Sequence, residues 1–87
     1  MFVRLEKIDP AKRQRRFYEM TVGRDLFGEW CLVREWGRIG AAGGRRRVDR
    51  PGSRDAAEAA LGLLSGRKRR RGYRLSRAAP GGSENNT

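Results

Sequence analysis

"EWCLVREWGRIG", Glu29–Gly40, is the stretch on which the fold turns. Its alternation reads as a β-strand from Glu29 to about Arg38, because successive side chains of an extended chain point to opposite faces. Trp30, Leu32, Arg34, Trp36 and Arg38 then share one face, and Cys31, Val33, Glu35, Gly37 and Ile39 the other. Cys31, Val33 and Ile39 can pack beneath a covering helix, which leaves the far half of the opposite face as cation, aromatic, cation. A core tryptophan whose flanking arginines reach past it to water fits the same alternation equally well.

Upstream, Phe2–Ile8 alternates Val3 and Leu5 against Arg4 and Glu6, and Phe17–Val22 places Tyr18, Met20 and Val22 on one face. Both read as strands. "GRDLFG", Gly23–Gly28, is bracketed by glycines and reads as a hairpin connection. Asp9–Arg16 is expected to be a basic loop opened by Asp-Pro. Downstream, Gly37, Gly40, Gly43 and Gly44 make a loose turn before a returning strand, Arg45–Asp49.

The period then changes. Ser53 suits a helix N-cap, Asp55 lies in the first turn, and Ala57, Ala60, Leu61 and Leu64 recur at i, i+3, i+4, i+7. Gly62 and Gly66 each weaken that helix by about 1 kcal/mol relative to alanine. Arg67–Arg71 suit its negative end, and Gly72 a left-handed stop. "YRLS", Tyr73–Ser76, reads as one last strand. The fold class is therefore α+β, a small antiparallel sheet of about four or five strands with one helix packed on one face. It is expected to form a single domain over residues 1–76, with residues 77–87 a disordered polar tail.

Net charge separates the function classes. Of 87 residues, 21 are basic and 10 acidic, for a net +11. Residues 1–52 carry +6, residues 53–77 carry +6 and the tail −1, so the excess belongs to the folded part. Such a charge attracts polyanions before specific contacts form. All the basic residues except Lys7, Lys12 and Lys68 are arginine, whose planar guanidinium grips phosphate through paired hydrogen bonds and stacks on rings.

The cations fall in four clusters. They are Lys12, Arg13, Arg15 and Arg16; Arg34, Trp36, Gly37 and Arg38; Arg45, Arg46 and Arg47; and Arg67, Lys68, Arg69, Arg70 and Arg71 with Tyr73. An indole between two guanidiniums suits a phosphate–sugar–phosphate contact, and stacking on a base contributes roughly 1–3 kcal/mol. The expected partner is nucleic acid, DNA or RNA. A protein partner on the Trp36 face is the alternative. An anionic membrane is set aside because Leu61 and Leu64 are spent on the sheet.

Catalysis has no visible machinery. There is no histidine and a single cysteine, Cys31, flanked by Trp30 and Leu32, so neither a disulfide nor a Cys/His zinc site can form within one chain. Carboxylates are dispersed, and "GRIGAAGG" lacks the Gly-Lys-Ser/Thr of a nucleotide loop. No cofactor, metal or small-molecule substrate is expected. The N-terminus lacks an apolar signal segment, and the chain is expected to be cytoplasmic.

"RRFYEMTV", then "EWCLVREWGRIG", then an alanine-rich helix ending "KRRRGYR" resembles a WGR domain, named for the residues standing here as Trp36-Gly37-Arg38. The resemblance covers about Val3 to Leu75 and implies an antiparallel sheet with one helix. In the poly(ADP-ribose) polymerases such domains help recognise DNA strand breaks. The tryptophan there packs on sugar near a DNA terminus, and the arginine serves DNA or domain–domain contact. The resemblance implies these roles for Trp36 and Arg38. With no room for a transferase domain and no zinc fingers, the chain is expected to be the recognition module alone, as in short bacterial WGR proteins.

Overall fold

A computed structural model describes residues 1–80. β1 (Phe2–Asp9), β2 (Gln14–Arg24), β3 (Trp30–Arg38) and β4 (Arg45–Asp49) form a meander, and α1 (Arg54–Arg70) carries the chain on to β5 (Arg74–Ala79). The sheet order is β4-β3-β2-β1-β5 and every neighbouring pair is antiparallel, so α1 crosses from one sheet edge to the other. The expected α+β class is what the chain adopts.

The basic loop expected at Asp9–Arg16 is shorter than that, since Asp9 ends β1 and Gln14–Arg16 begin β2. A single 3-10 turn, Pro10–Lys12, closes the β1–β2 hairpin, with the Asp9 side chain accepting from the Lys12 N–H and Arg13 in the left-handed region at φ 54°. At the helix start, Ser53 Oγ accepts from the Ala56 N–H at 3.1 Å, satisfying one of the unpaired donors of the first turn. At its end the Gly72 N–H bonds the Arg69 carbonyl, and Gly72 takes φ +98°, a conformation that side chains other than glycine rarely adopt. β5 carries the sheet to Ala79, past the boundary expected at residue 76, and the remaining expected tail, residues 81–87, lies outside the described residues.

The helix does not cover the face expected of it. It packs through Ala57 and Leu61 on Leu5, Tyr18, Met20, Val22 and Leu32, the face that carries Trp30, Arg34 and Trp36, and not on the side of Cys31, Val33 and Ile39. The cause is the sum over strands rather than any one strand. Register places Leu32 beside Val22, Trp36 beside Tyr18, Tyr18 beside Leu5 and Met20 beside Val3, so this is the face with the larger apolar area to bury. Full burial of Leu5, Met20 and Leu32 contributes roughly 1.5–3 kcal/mol each.

The opposite face closes itself with charge. One row crosses all five strands as Arg77, Arg4, Glu19, Glu35 and Arg46. Arg4 bridges Glu6 at 2.9 Å and Glu19 at 2.6 Å while its guanidinium lies 4.7 Å from the Phe17 ring centroid; Arg77 covers Phe2 likewise at 5.3 Å. The two carboxylates raise the Arg4 pKa further by hydrogen bonding, Glu6 before Glu19. Long side chains laid over aromatic rings thus spare this face a second layer. No helix of the described residues is long and apolar enough to cross a membrane.

Candidate functional site

Strand direction decides where the cations gather. β1 and β3 end, and β2, β4 and β5 begin, at the end of the sheet where the C-terminus of α1 arrives. The four basic clusters of the sequence are therefore delivered to that one end. A cleft of about 680 Å³ opens there, lined by Lys12, Arg13, Arg15 and Arg16 from the β1–β2 hairpin, by Trp36, Gly37 and Arg38, and by Lys68 and Tyr73 beyond them. A second cleft of about 390 Å³ adjoins it across Lys68 and takes in Arg34, Arg67, Arg70 and Arg71. Among the described residues neither cleft is lined by a carboxylate.

Trp36 is half-buried and packs against the edge of the core. It stacks on Tyr18 at a centroid distance of 5.5 Å with the planes 17° apart, in the offset manner aromatic pairs favour. Lys68 Nζ stands 4.4 Å from the Tyr18 centroid and 5.4 Å from that of Tyr73. The Lys68 carbonyl accepts from both Arg71 and Tyr73 N–H groups, which folds Tyr73 back against the turn that carries the lysine. Burial first, and then repulsion from Arg71, Arg34 and Arg16, push the Lys68 pKa below the ordinary lysine value.

Arg34 is placed differently from its expected role as an open phosphate ligand. Its side chain is 14% exposed, its Nε lies 3.0 Å from Asp49 Oδ2, and its Nη1 donates to the Tyr18 hydroxyl at 3.3 Å. The Nε contact is an ion pair without hydrogen-bond alignment, since that buried nitrogen has no hydrogen-bond acceptor. Asp49 also takes Arg47 at 2.9 Å, so one carboxylate serves two guanidiniums. Gly37 has a steric reason to be glycine. A Cβ there would lie 3.3 Å from Gly44 Cα and 3.4 Å from Phe17 Cε1, where β4 returns past β3.

Arg45, Arg46, Arg47 and Arg69 lie outside the lining of both clefts. Arg46 sits opposite Glu35 on the charge-laced face, and Arg45 opposite Trp36 on the edge strand. Conversely, Tyr18, Phe17 and Gln14 line the clefts without having been among the candidate binding residues. Tyr18 could have been found by pairing β2 with β3 through the Gly23–Gly28 turn, which sets Tyr18 against Trp36. Among the described residues no three His, Cys, Asp or Glu side chains are grouped to hold a metal ion. Cys31 is buried on the face away from the helix, its Sγ 3.6 Å from the Glu29 carbonyl.

The chain is 40% identical over 76 residues to y4dW, an uncharacterised protein of Sinorhizobium fredii. The match takes in 87% of this chain and 37% of that protein, so the chain spans little more than a third of its relative's length. No solved structure matches it significantly. A family model, the WGR domain, matches residues 1–80. With the Trp36-Gly37-Arg38 strand at the mouth of a cationic cleft and the family match spanning every described residue, the chain belongs to the WGR domain family.

Proposed function

We propose that this chain is a non-enzymatic module that binds DNA, with a preference for ends or strand breaks, through Trp36 and the cations around it. WGR is a binding rather than a catalytic domain, and the family points to nucleic-acid binding in general terms. The observation that carries the finer reading is the meeting of three of the four basic clusters around Trp36, in two clefts that no carboxylate of the described residues lines. Arg13, Arg15, Arg16 and Arg38 would hold phosphates there. The exposed part of the Trp36 indole would meet the sugar or base at a terminus, where no continuing base pair blocks it. Most of the affinity would be sequence-independent and fall steeply with salt.

The test is fluorescence anisotropy with an open, 5′-phosphorylated duplex against a closed dumbbell of equal length, for wild type and Trp36→Ala. Tighter binding of the open duplex, removed by Trp36→Ala, is the expected result. Equal binding of the two DNAs would overturn the end preference.

A second reading, a protein-interaction adaptor, draws support from the other end of the molecule. Leu26 and Phe27 are 99% and 90% exposed on the β2–β3 turn, and Asp25 Oδ1 fixes that turn by accepting from the N–H groups of Phe27 and Glu29. A contact made there would tolerate added salt, whereas phosphate binding would not.

A further inference from the structure

Lys68 differs from the cations around it. Eighteen of the 21 basic residues are arginine, which stays protonated and cannot act as a nucleophile at neutral pH; lysine, once desolvated, can. Its Nζ stands between the Tyr18 and Tyr73 rings, on the boundary shared by the two clefts. Among the described residues no carboxylate pairs with it. The charged groups facing it are Arg16 from β2, Arg34 from β3 and Arg71 from the end of α1, and all three lower its proton affinity, after burial. On the nucleic-acid reading, Arg16 and Arg71 would also hold phosphate. An electrophile suited to this site is a carbonyl carbon carried between phosphates.

We propose that Lys68 captures the ring-opened aldehyde of an abasic site in DNA as a covalent imine, an inference that rests on the nucleic-acid reading above. The neutral amine donates its lone pair to C1′ of the open deoxyribose, and one proton passes from its nitrogen to the former carbonyl oxygen to give a carbinolamine. Loss of one water forms the carbon–nitrogen double bond, with no change of oxidation state. Cutting the strand from that imine requires a base to remove a proton from C2′. Among the described residues neither cleft is lined by a carboxylate, and the chain has no histidine. The adduct therefore accumulates instead of proceeding quickly to strand scission, and the event is stoichiometric rather than catalytic.

The experiment incubates the full chain with a duplex bearing one aldehydic abasic site and traps the imine with borohydride. The cross-linked peptide is then mapped by mass spectrometry. Competing amines are those of Lys7, of Lys12, which also lines the larger cleft from the hairpin turn, and of Met1, which bonds the Val22 carbonyl at the far end of the sheet. The expected adduct is on Lys68. Lys68→Arg keeps the charge but has no amine to form an imine, and trapping is compared at protein concentrations that saturate the duplex for each variant. Trapped adduct should fall about tenfold or more, while Lys7→Arg, outside the lining of both clefts, leaves it unchanged.

Mapping of the wild-type adduct to Met1, Lys7 or Lys12 overturns the proposal without depending on how any variant folds. Undiminished trapping by Lys68→Arg, or rapid cleavage of the abasic strand, does so too. Intact-duplex binding without trapping overturns this inference alone. Absence of duplex binding overturns it together with the reading beneath it.

Discussion

Trp36 is held by Tyr18: the two rings stack 5.5 Å apart across neighbouring strands, and the Tyr18 hydroxyl accepts from Arg34. Tyr18 is buried and Trp36 half-buried, so the inner ring carries the stability and the outer one remains available to a ligand. Tyr18→Ala should lower unfolding free energy by about 3–5 kcal/mol, as other large aromatic truncations in cores do. Tyr18→Phe, which loses only the hydroxyl's bond, should cost about 0.5–1.5 kcal/mol. Trp36→Ala should fall well below Tyr18→Ala. Urea denaturation followed by circular dichroism gives all three, and equal losses for Trp36→Ala and Tyr18→Ala would contradict the ranking.

Gly37 tests the packing of the motif itself. An added methyl would press on Gly44 Cα and on the Phe17 ring, and Gly44 sits at φ +141° with its own Cβ direction 3.0 Å from the Trp36 carbonyl oxygen. Gly37→Ala should therefore destabilise by about 1–3 kcal/mol through overpacking. Phe17→Leu in the same chain should recover only part of that, because the ring can yield and the Gly44 backbone cannot. Full recovery would place the clash on Phe17 alone.

Salt dependence separates cations by the face they occupy. Arg16 lines the larger cleft, whereas Arg46 stands opposite Glu35 on the charge-laced face. Arg16→Gln should lower the slope of log affinity against log salt by about one, the share of a single phosphate contact. Arg46→Gln should leave the slope unchanged. An equal loss from both variants would mean that binding senses net charge only.

Proton linkage reads the environment of Lys68. Its pKa is held down by burial, then by Arg71, Arg34 and Arg16, and a bound phosphate would raise it again. Binding should then take up protons, and affinity should fall as pH rises through the lowered lysine value. Titration calorimetry in buffers of different ionisation enthalpy measures this, and Lys68→Arg should abolish it. For the unliganded protein the sign is opposite. The unfolded chain binds more protons between the lowered value and the ordinary one, so stability rises with pH across that window.

Much of the architecture was legible in local pattern. The β-strands around Val3, Met20 and Val33, the Ser53 cap, the Ala57–Leu64 stripe and the left-handed Gly72 all follow from side-chain period and turn chemistry, and all stand in the fold. The covered face was not legible from β3 alone. Cys31, Val33 and Ile39 made one side of that strand the more apolar, but Leu5, Tyr18, Met20 and Val22 on neighbouring strands decide which side the helix takes. The ion pair of Arg34 was hidden for the same reason, since its partner Asp49 belongs to another strand. Convergence of the basic clusters depends on strand order, and local pattern does not encode it.

The row Arg77–Arg4–Glu19–Glu35–Arg46 leaves one side of the sheet nearly charge-balanced, while the end where the helix finishes collects guanidiniums in two clefts that no carboxylate of the described residues lines. The molecule is consequently an electric dipole as well as a cation. In the field of a polyanion it experiences a torque before contact, one that turns the Trp36 end toward the approaching strand and the Leu26–Phe27 hairpin away from it. Orientation is then set during the approach and not by trial collisions on the surface.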